Sequence, residues 1–290
     1  MSARADDRGS TRVEGGLVRA FNANKTSWVG LAIFGTIVLL AIAAPLIAPY
    51  DPAEQHLTSR LRPPSTEFWF GTDSFGRDVF SRILWGARVS LSVGVCATLL
   101  GMLVGSAIGI VAGYRGGIVD ILAMRAVDVL LCVPVLILGL LVVAMLGPSL
   151  PNLVFGIALG LAPKFARIAR APVIAVKERD FIQACRALGY SDTRIILLHI
   201  VPNVFGDILV MASLWTAHAI LLEAALSFIG LGVKPPTPSW GGMLGMALEL
   251  LYEAPWLTVY PGLAIMLTVF SVNLLGDGLR DAIDPKLRYE

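Results

Sequence analysis

Two stretches of this sequence carry residues that could do chemistry. The first is Trp215-Thr-Ala-His-Ala-Ile-Leu-Leu-Glu223, where His218 and Glu223 stand inside an apolar run. Ionisable groups in such a run are costly in lipid and mark a solute pathway or a proton relay. Spaced five apart, they point to different faces of one helix and make no local pair. Glu223 can equally bond backbone groups of a neighbouring helix, while Asp128 and Asp207 lie near the ends of apolar runs, where water is close. The second stretch is polar, from Asp180 to Pro202, and its chemistry is recognition. Asp180 can cap a helix, and Gln183 completes a capping-box pattern. Gly189 suits a left-handed stop after that helix. Ser191 can cap a second short helix that ends at Pro202. Phe181, Ala184, Cys185 and Leu188 share one stripe of the first helix. Arg179 and Arg186 are placed for rim contacts with acids. Such a stripe fits a groove on a soluble protein or lies on lipid headgroups, and the pattern alone leaves both open.

Catalytic signatures are missing from the sequence. It has no Gly-x-x-x-x-Gly-Lys-Ser/Thr phosphate loop, no His-Glu-x-x-His zinc helix and no Gly-x-Ser-x-Gly elbow. His56, His199 and His218 lie in separate segments without ligand spacing. Any uphill transport must therefore draw on an ion gradient or on ATP hydrolysed by another chain.

The elements that must position these residues are membrane helices. Of the 290 residues, 56% are hydrophobic and 15% charged, against about 25% charged in soluble domains. Mean hydropathy is +0.74. A net charge of +2 gives no argument for a nucleic-acid partner. Cys96, Cys132 and Cys185 are scattered and odd in number, so they suggest small apolar roles. Six spans are expected, at 28–48, 89–113, 127–147, 151–169, 205–229 and 257–276, each near the ~20 residues that bridge a bilayer. Pro163 and Lys164 make the fourth the weakest. The first contains Ala41-Ile42-Ala43, a cleavage-like triplet, but its length suits a retained span better than a signal peptide. With both termini cytoplasmic, seventeen Lys and Arg fall on the cytoplasmic side and six outside. Five of those six lie between 60 and 88, in the 49–88 segment that also holds five acids. The proline- and glycine-rich segments 49–88 and 230–256 read as rigid turns. The tail up to about Gly15 has a disorder-like composition.

The segment from Gln183 resembles the cytoplasmic EAA loop of ABC importer permeases, Glu-Ala-Ala-x3-Gly-x9-Ile-x-Leu-Pro. Here it reads Gln183-Ala184-Cys185, Gly189 and His199-Ile200-Val201-Pro202. Ala184, Gly189 and Pro202 match in register, and Gln183 replaces the Glu. Three further stretches resemble the peptide/nickel branch of those importers. They are Gly71 to Arg82 with Gly86 to Leu91, Glu223 to Gly232 with Pro235 to Gly242, and Asn273 to Arg288. Across about 25–288, the chain is similar to a "C" type permease of a dipeptide or oligopeptide importer.

That resemblance implies an all-α membrane protein with six transmembrane helices, the type I importer architecture and both termini cytoplasmic, in a bacterial inner membrane. It implies a cytoplasmic tail at 1–27, a first span at 28–48, an extracytoplasmic segment at 49–88, a core permease domain at 89–276 and a cytoplasmic tail at 277–290. The core would carry the coupling loop at 170–204 and an outer loop at 230–256. The resemblance also implies a second homologous permease, two ATP-binding subunits or domains holding ATP and Mg, and an extracytoplasmic solute-binding protein. No cofactor or metal is expected in this chain, and no catalysis. Residues 180–189 would be the helix that docks in the ATPase groove, with His218 and Glu223 as candidates for the path. Pro236 and Trp240 would form a platform for the binding protein, unless Trp240 anchors at the lipid interface. Arg77 and Asp78 could serve the same platform or form an internal ion pair. Peptides, nickel chelates and glutathione-like solutes fit as cargo, and an ion-gradient transporter using His218 and Glu223 is the alternative.

Overall fold

The computed structural model describes residues 25–283, so most of the two tails lies outside it, including the stretch from Asp284 to Arg288. Helices account for nearly all of its regular structure, and there is no strand among the described residues. Five helices are long and apolar enough to cross a membrane, and a bent pair makes a sixth span. They are α1 (Lys25–Ile47), α2 (Val79–Arg115), the pair α3 (Gly117–Leu131) and α4 (Val135–Leu146), α5 (Leu150–Lys177), the Asp192–Phe228 segment that ends in α8 (Val201–Phe228), and α10 (Trp256–Ile283). Between α5 and α8 lie α6 (Asp180–Ala187) and the single turn α7 (Asp192–Ile195). A short α9 (Trp240–Ala247) precedes α10.

The expected span at 127–147 is not one helix. Its apolar course begins at Gly117 and bends by 83° between Leu131 and Val135. Pro134 causes the break: it has no N–H for the Leu130 carbonyl, and its ring crowds that turn. Pro163 and Pro172, by contrast, leave α5 unbroken from Leu150 to Lys177.

The core is the α2–α5 pair, onto which α8 packs. Gly101, Gly105, Gly109 and Gly113 recur every fourth residue and form one face of α2. A Cβ at Gly105 would overlap the carbonyl oxygen of Ala162, and one at Gly109 that of Ala166. The two backbones therefore touch, which is how helices associate in lipid, where the hydrophobic effect gives no drive. This every-fourth-glycine pattern is visible in the sequence, and the spans predicted above made no use of it.

The helix α2 starts at Val79, ten residues before the expected span. Asp78 caps it, its carboxylate accepting from the Ser81 amide at 2.7 Å. The early start brings Arg82 into a buried polar knot. Asp73 pairs with Arg77 at 2.7 Å and lies 3.6 Å from Arg82. Arg82 also donates to the carbonyls of Pro52 at 2.9 Å and Pro236 at 3.4 Å. Arg77 is thus in an internal ion pair, but with Asp73 rather than Asp78. Two of the five arginines between 60 and 88 are thus buried structural groups.

Candidate coupling elbow and path-facing residues

The elbow is a two-turn helix, α6, set between the end of α5 and the turn α7. Its C-terminus closes as Gly189 predicts. Gly189 has φ +76°, its N–H reaches the Arg186 carbonyl at 2.9 Å, and the Tyr190 N–H reaches that of Cys185 at 3.1 Å. That pair of bonds is a Schellman stop, and a left-handed residue there favours glycine. The N-terminus differs from expectation. Arg179 occupies the cap position with no side-chain cap bond, and Asp180 is the first helical residue. The capping box of Asp180 and Gln183 is not formed. Asp180 still places its charge at the positive end of the helix dipole.

The second helix does not end at Pro202. Residues Ile196–Ile200 form a π-helical turn, with the Val201 N–H bonded to the Ile196 carbonyl, and the helix continues into α8. The widened turn accepts a proline that would break a regular one.

Ile182 fastens α6 to the protein. It is fully buried, in the same cluster as Ile195, Ile200 and Val176, and Cys185 packs partly against it. The expected stripe therefore divides. Phe181, Ala184 and Leu188 face outward and Cys185 inward, while Arg179, Asp180, Gln183 and Arg186 are exposed around them. Ile182 and Cys185 are three apart, a spacing that marks the inner face. Further bonds tie the elbow's base to α2: Tyr114 Oη donates to Asp192 at 2.8 Å, and Lys177 Nζ donates to the Gly113 carbonyl at 2.9 Å. Arg170 grips Asp120 of α3 with two bonds of 2.5 and 2.6 Å. The elbow is an exposed apolar ridge on a braced support.

His218 and Glu223 separate as their spacing predicts. His218 is exposed and meets the Trp215 ring edge-on at 5.2 Å, with Lys164 Nζ 3.9 Å from the same ring. Glu223 is fully buried, and Ser227 donates to it at 2.7 Å. Glu223 thus faces no open path here, and its bond is to a side chain one turn on in its own helix rather than to the backbone of a neighbouring one. Lys164, read in the sequence only as an interruption of the fourth span, is thus brought to the same ring as His218.

On the outer side, Pro236 is exposed but Trp240 is 1% exposed. The Trp240 indole N–H donates to the Ile83 carbonyl at 3.0 Å, and its ring packs beside Leu91, Ile220 and Ala224. A binding-protein contact and a lipid anchor both need an exposed indole, so neither role fits Trp240. No group of His, Cys, Asp and Glu suited to a metal occurs among the described residues.

Residues 105–289 match the family model described as the inner membrane component of binding-protein-dependent transport systems, and residues 16–64 match that of the N-terminal transmembrane domain of oligopeptide transport permease C. The chain belongs to that family of inner membrane transport components. It is a permease subunit of an ABC importer, as the motifs around the elbow implied. Curated relatives are similar along nearly their whole length. The dipeptide transport permease DppC of Alkalihalophilus pseudofirmus is 46% identical, over 91% of this chain and 87% of the relative. The oligopeptide permease OppC of Bacillus subtilis is 41% identical, over 92% and 88%. The glutathione permease GsiD of Pectobacterium atrosepticum is 43% identical, over 88% and 86%. A chain of the MetNI methionine ABC transporter, solved in inward-facing conformations, superposes with a TM-score of 0.58 at 17% identity, covering 71% of this chain and 98% of that one. That likeness concerns the fold, which is the type I importer fold.

Proposed function

We propose that this chain forms half of the path of an ATP-driven peptide importer and receives the energy of ATP hydrolysis through α6. The observation that carries this reading is the braced ridge of Phe181, Ala184 and Leu188, which leaves an apolar surface open on an otherwise charged rim. A helix of this kind suits a groove on a soluble partner. In this reading the partner is one of two ATP-binding subunits, which hold ATP and Mg and perform the hydrolysis. A second, homologous permease completes the path, and an extracytoplasmic binding protein delivers the solute. Nucleotide-driven closure of the ATPases moves the elbow, the spans open outward, and release after hydrolysis resets them. Relatives named for dipeptides, oligopeptides and glutathione support a peptide-like cargo. An ion-gradient relay through His218 and Glu223 is poorly supported, because the two lie on separate faces.

Purification of the chain from its native membrane tests the proposal. ATPase subunits and a second permease should accompany it, and the reconstituted assembly should hydrolyse ATP faster when solute-loaded binding protein is added. Uptake by the chain alone, abolished by an uncoupler, would refute the reading.

A further inference from the structure

Lys164 stands out among the charged residues of the spans. It lies about 21 Å along α5 from Leu150, and Trp215 lies about 20 Å along α8 from Phe228, at 1.5 Å per residue. Both are near the middle of their helices. The Lys164 ammonium rests 3.9 Å from the centre of the Trp215 ring, and His218 stands beside the same ring. None of the described carboxylates is within ion-pair distance of Lys164. Asp128 of α3 is already held by Arg167, one turn along α5 from Lys164, at 2.6 Å. Glu223 is buried and bonded to Ser227. The aromatic face offsets part of the cost of the charge, but it supplies no hydrogen-bond acceptor, since an indole only donates. A cation within an apolar spanning helix belongs on a water-filled or protein-covered face, next to an anion.

We propose that Lys164, flanked by Trp215 and His218, is a contact point for the carboxylate of a peptide crossing this chain. The inference rests on the peptide-importer reading above. A peptide presents a free C-terminal carboxylate, which meets the donors of Lys164, whereas its N-terminal ammonium is repelled there. An ammonium–carboxylate bond formed away from bulk water is stronger than a neutral one. It also fixes which end of the cargo dwells beside α5, a selection additional to that of the binding protein.

The test uses the reconstituted complex in proteoliposomes, with binding protein and short oligoalanines from the dipeptide upward, which carry no acidic side chain. Uptake by Lys164→Gln should fall about tenfold, and Lys164→Arg should retain most of the wild-type rate. Binding-protein-stimulated ATP hydrolysis and the yield of second permease should stay at wild-type levels in both. Undiminished uptake by Lys164→Gln would overturn the proposal. So would a loss of second permease that tracks the loss of uptake, because the counter-ion would then be a carboxylate of that subunit. Failure of the wild-type complex to import any oligoalanine while hydrolysing ATP would instead overturn the peptide reading, and this inference with it.

Discussion

Replacing Leu188 by alanine separates the two roles open to the elbow. Leu188 is 73% exposed at the end of the outward ridge, with no part in the core. Full burial of a leucine side chain is worth roughly 1.5–3 kcal/mol. With about three-quarters of its surface free, docking into a groove draws about 1–2 kcal/mol from it. Leu188→Ala should then weaken association with the ATPase subunits by a factor of about 5–30. The folded permease should be unaffected. Titration of purified ATPase subunits onto permease pairs in nanodiscs gives the affinity, and a melting curve of the same sample gives the stability. Ile182→Ala is the internal control. Ile182 is fully buried beneath the same helix, and its truncation should cost about 2–5 kcal/mol of stability. Unchanged ATPase affinity in both Leu188→Ala and Phe181→Ala would refute the docking argument and leave the ridge to lipid headgroups.

Other substitutions probe the supports. Gly189→Ala should loosen the elbow by about 1–2 kcal/mol, the penalty of a Cβ in the left-handed region; no atom lies within 4 Å of that Cβ, so Gly189→Asn should recover much of the coupled ATPase rate, and equal loss in both would point to a steric cause. Asp73→Ala leaves Arg77 and Arg82 buried without an acid, and should lower stability by about 3–5 kcal/mol, read as a reduced melting temperature. Trp240→Ala should cost about 3–5 kcal/mol and reduce folded protein; selective loss of binding-protein docking at full stability would show that the indole becomes exposed in another state.

The spans and the elbow were legible because their signals are local. Apolar runs near 20 residues mark helices whatever their neighbours, and Gly189 stops α6 through its own backbone. The misreadings arise where distant atoms decide. The second span is expected to start at 89, yet α2 begins at Val79 and takes in Arg82, to which Pro52 and Pro236 supply carbonyls from remote loops. Trp240 reads as an interface residue until Ile83 accepts its N–H. Pro202 carries a stop signal, but the π turn before it absorbs the ring and the helix runs on. Pro134 breaks the third span and Pro163 does not break the fourth. The difference lies in support: the backbone around Pro163 lies against the glycine face of α2, whereas Pro134 itself is exposed.

That support explains why one helix can serve both proposed sites. α5 carries Lys164 near its middle and ends at Lys177, three residues before α6 begins. Two prolines in a free helix would make it a poor transmitter, since each removes a backbone bond. Here the contact of Gly105 and Gly109 with the carbonyls of Ala162 and Ala166 brackets Pro163 from the α2 side. Below it, Arg170 is fixed to Asp120 and Lys177 to the Gly113 carbonyl. The Cβ-free face of α2 is therefore what makes the prolines tolerable. With them, α5 keeps some carbonyls free of intrahelical bonds near its middle, next to a cation, while its lower half stays braced to the elbow. Displacement of the elbow must carry the α2–α5 pair with it, because sliding one helix past the other would drive backbone into backbone.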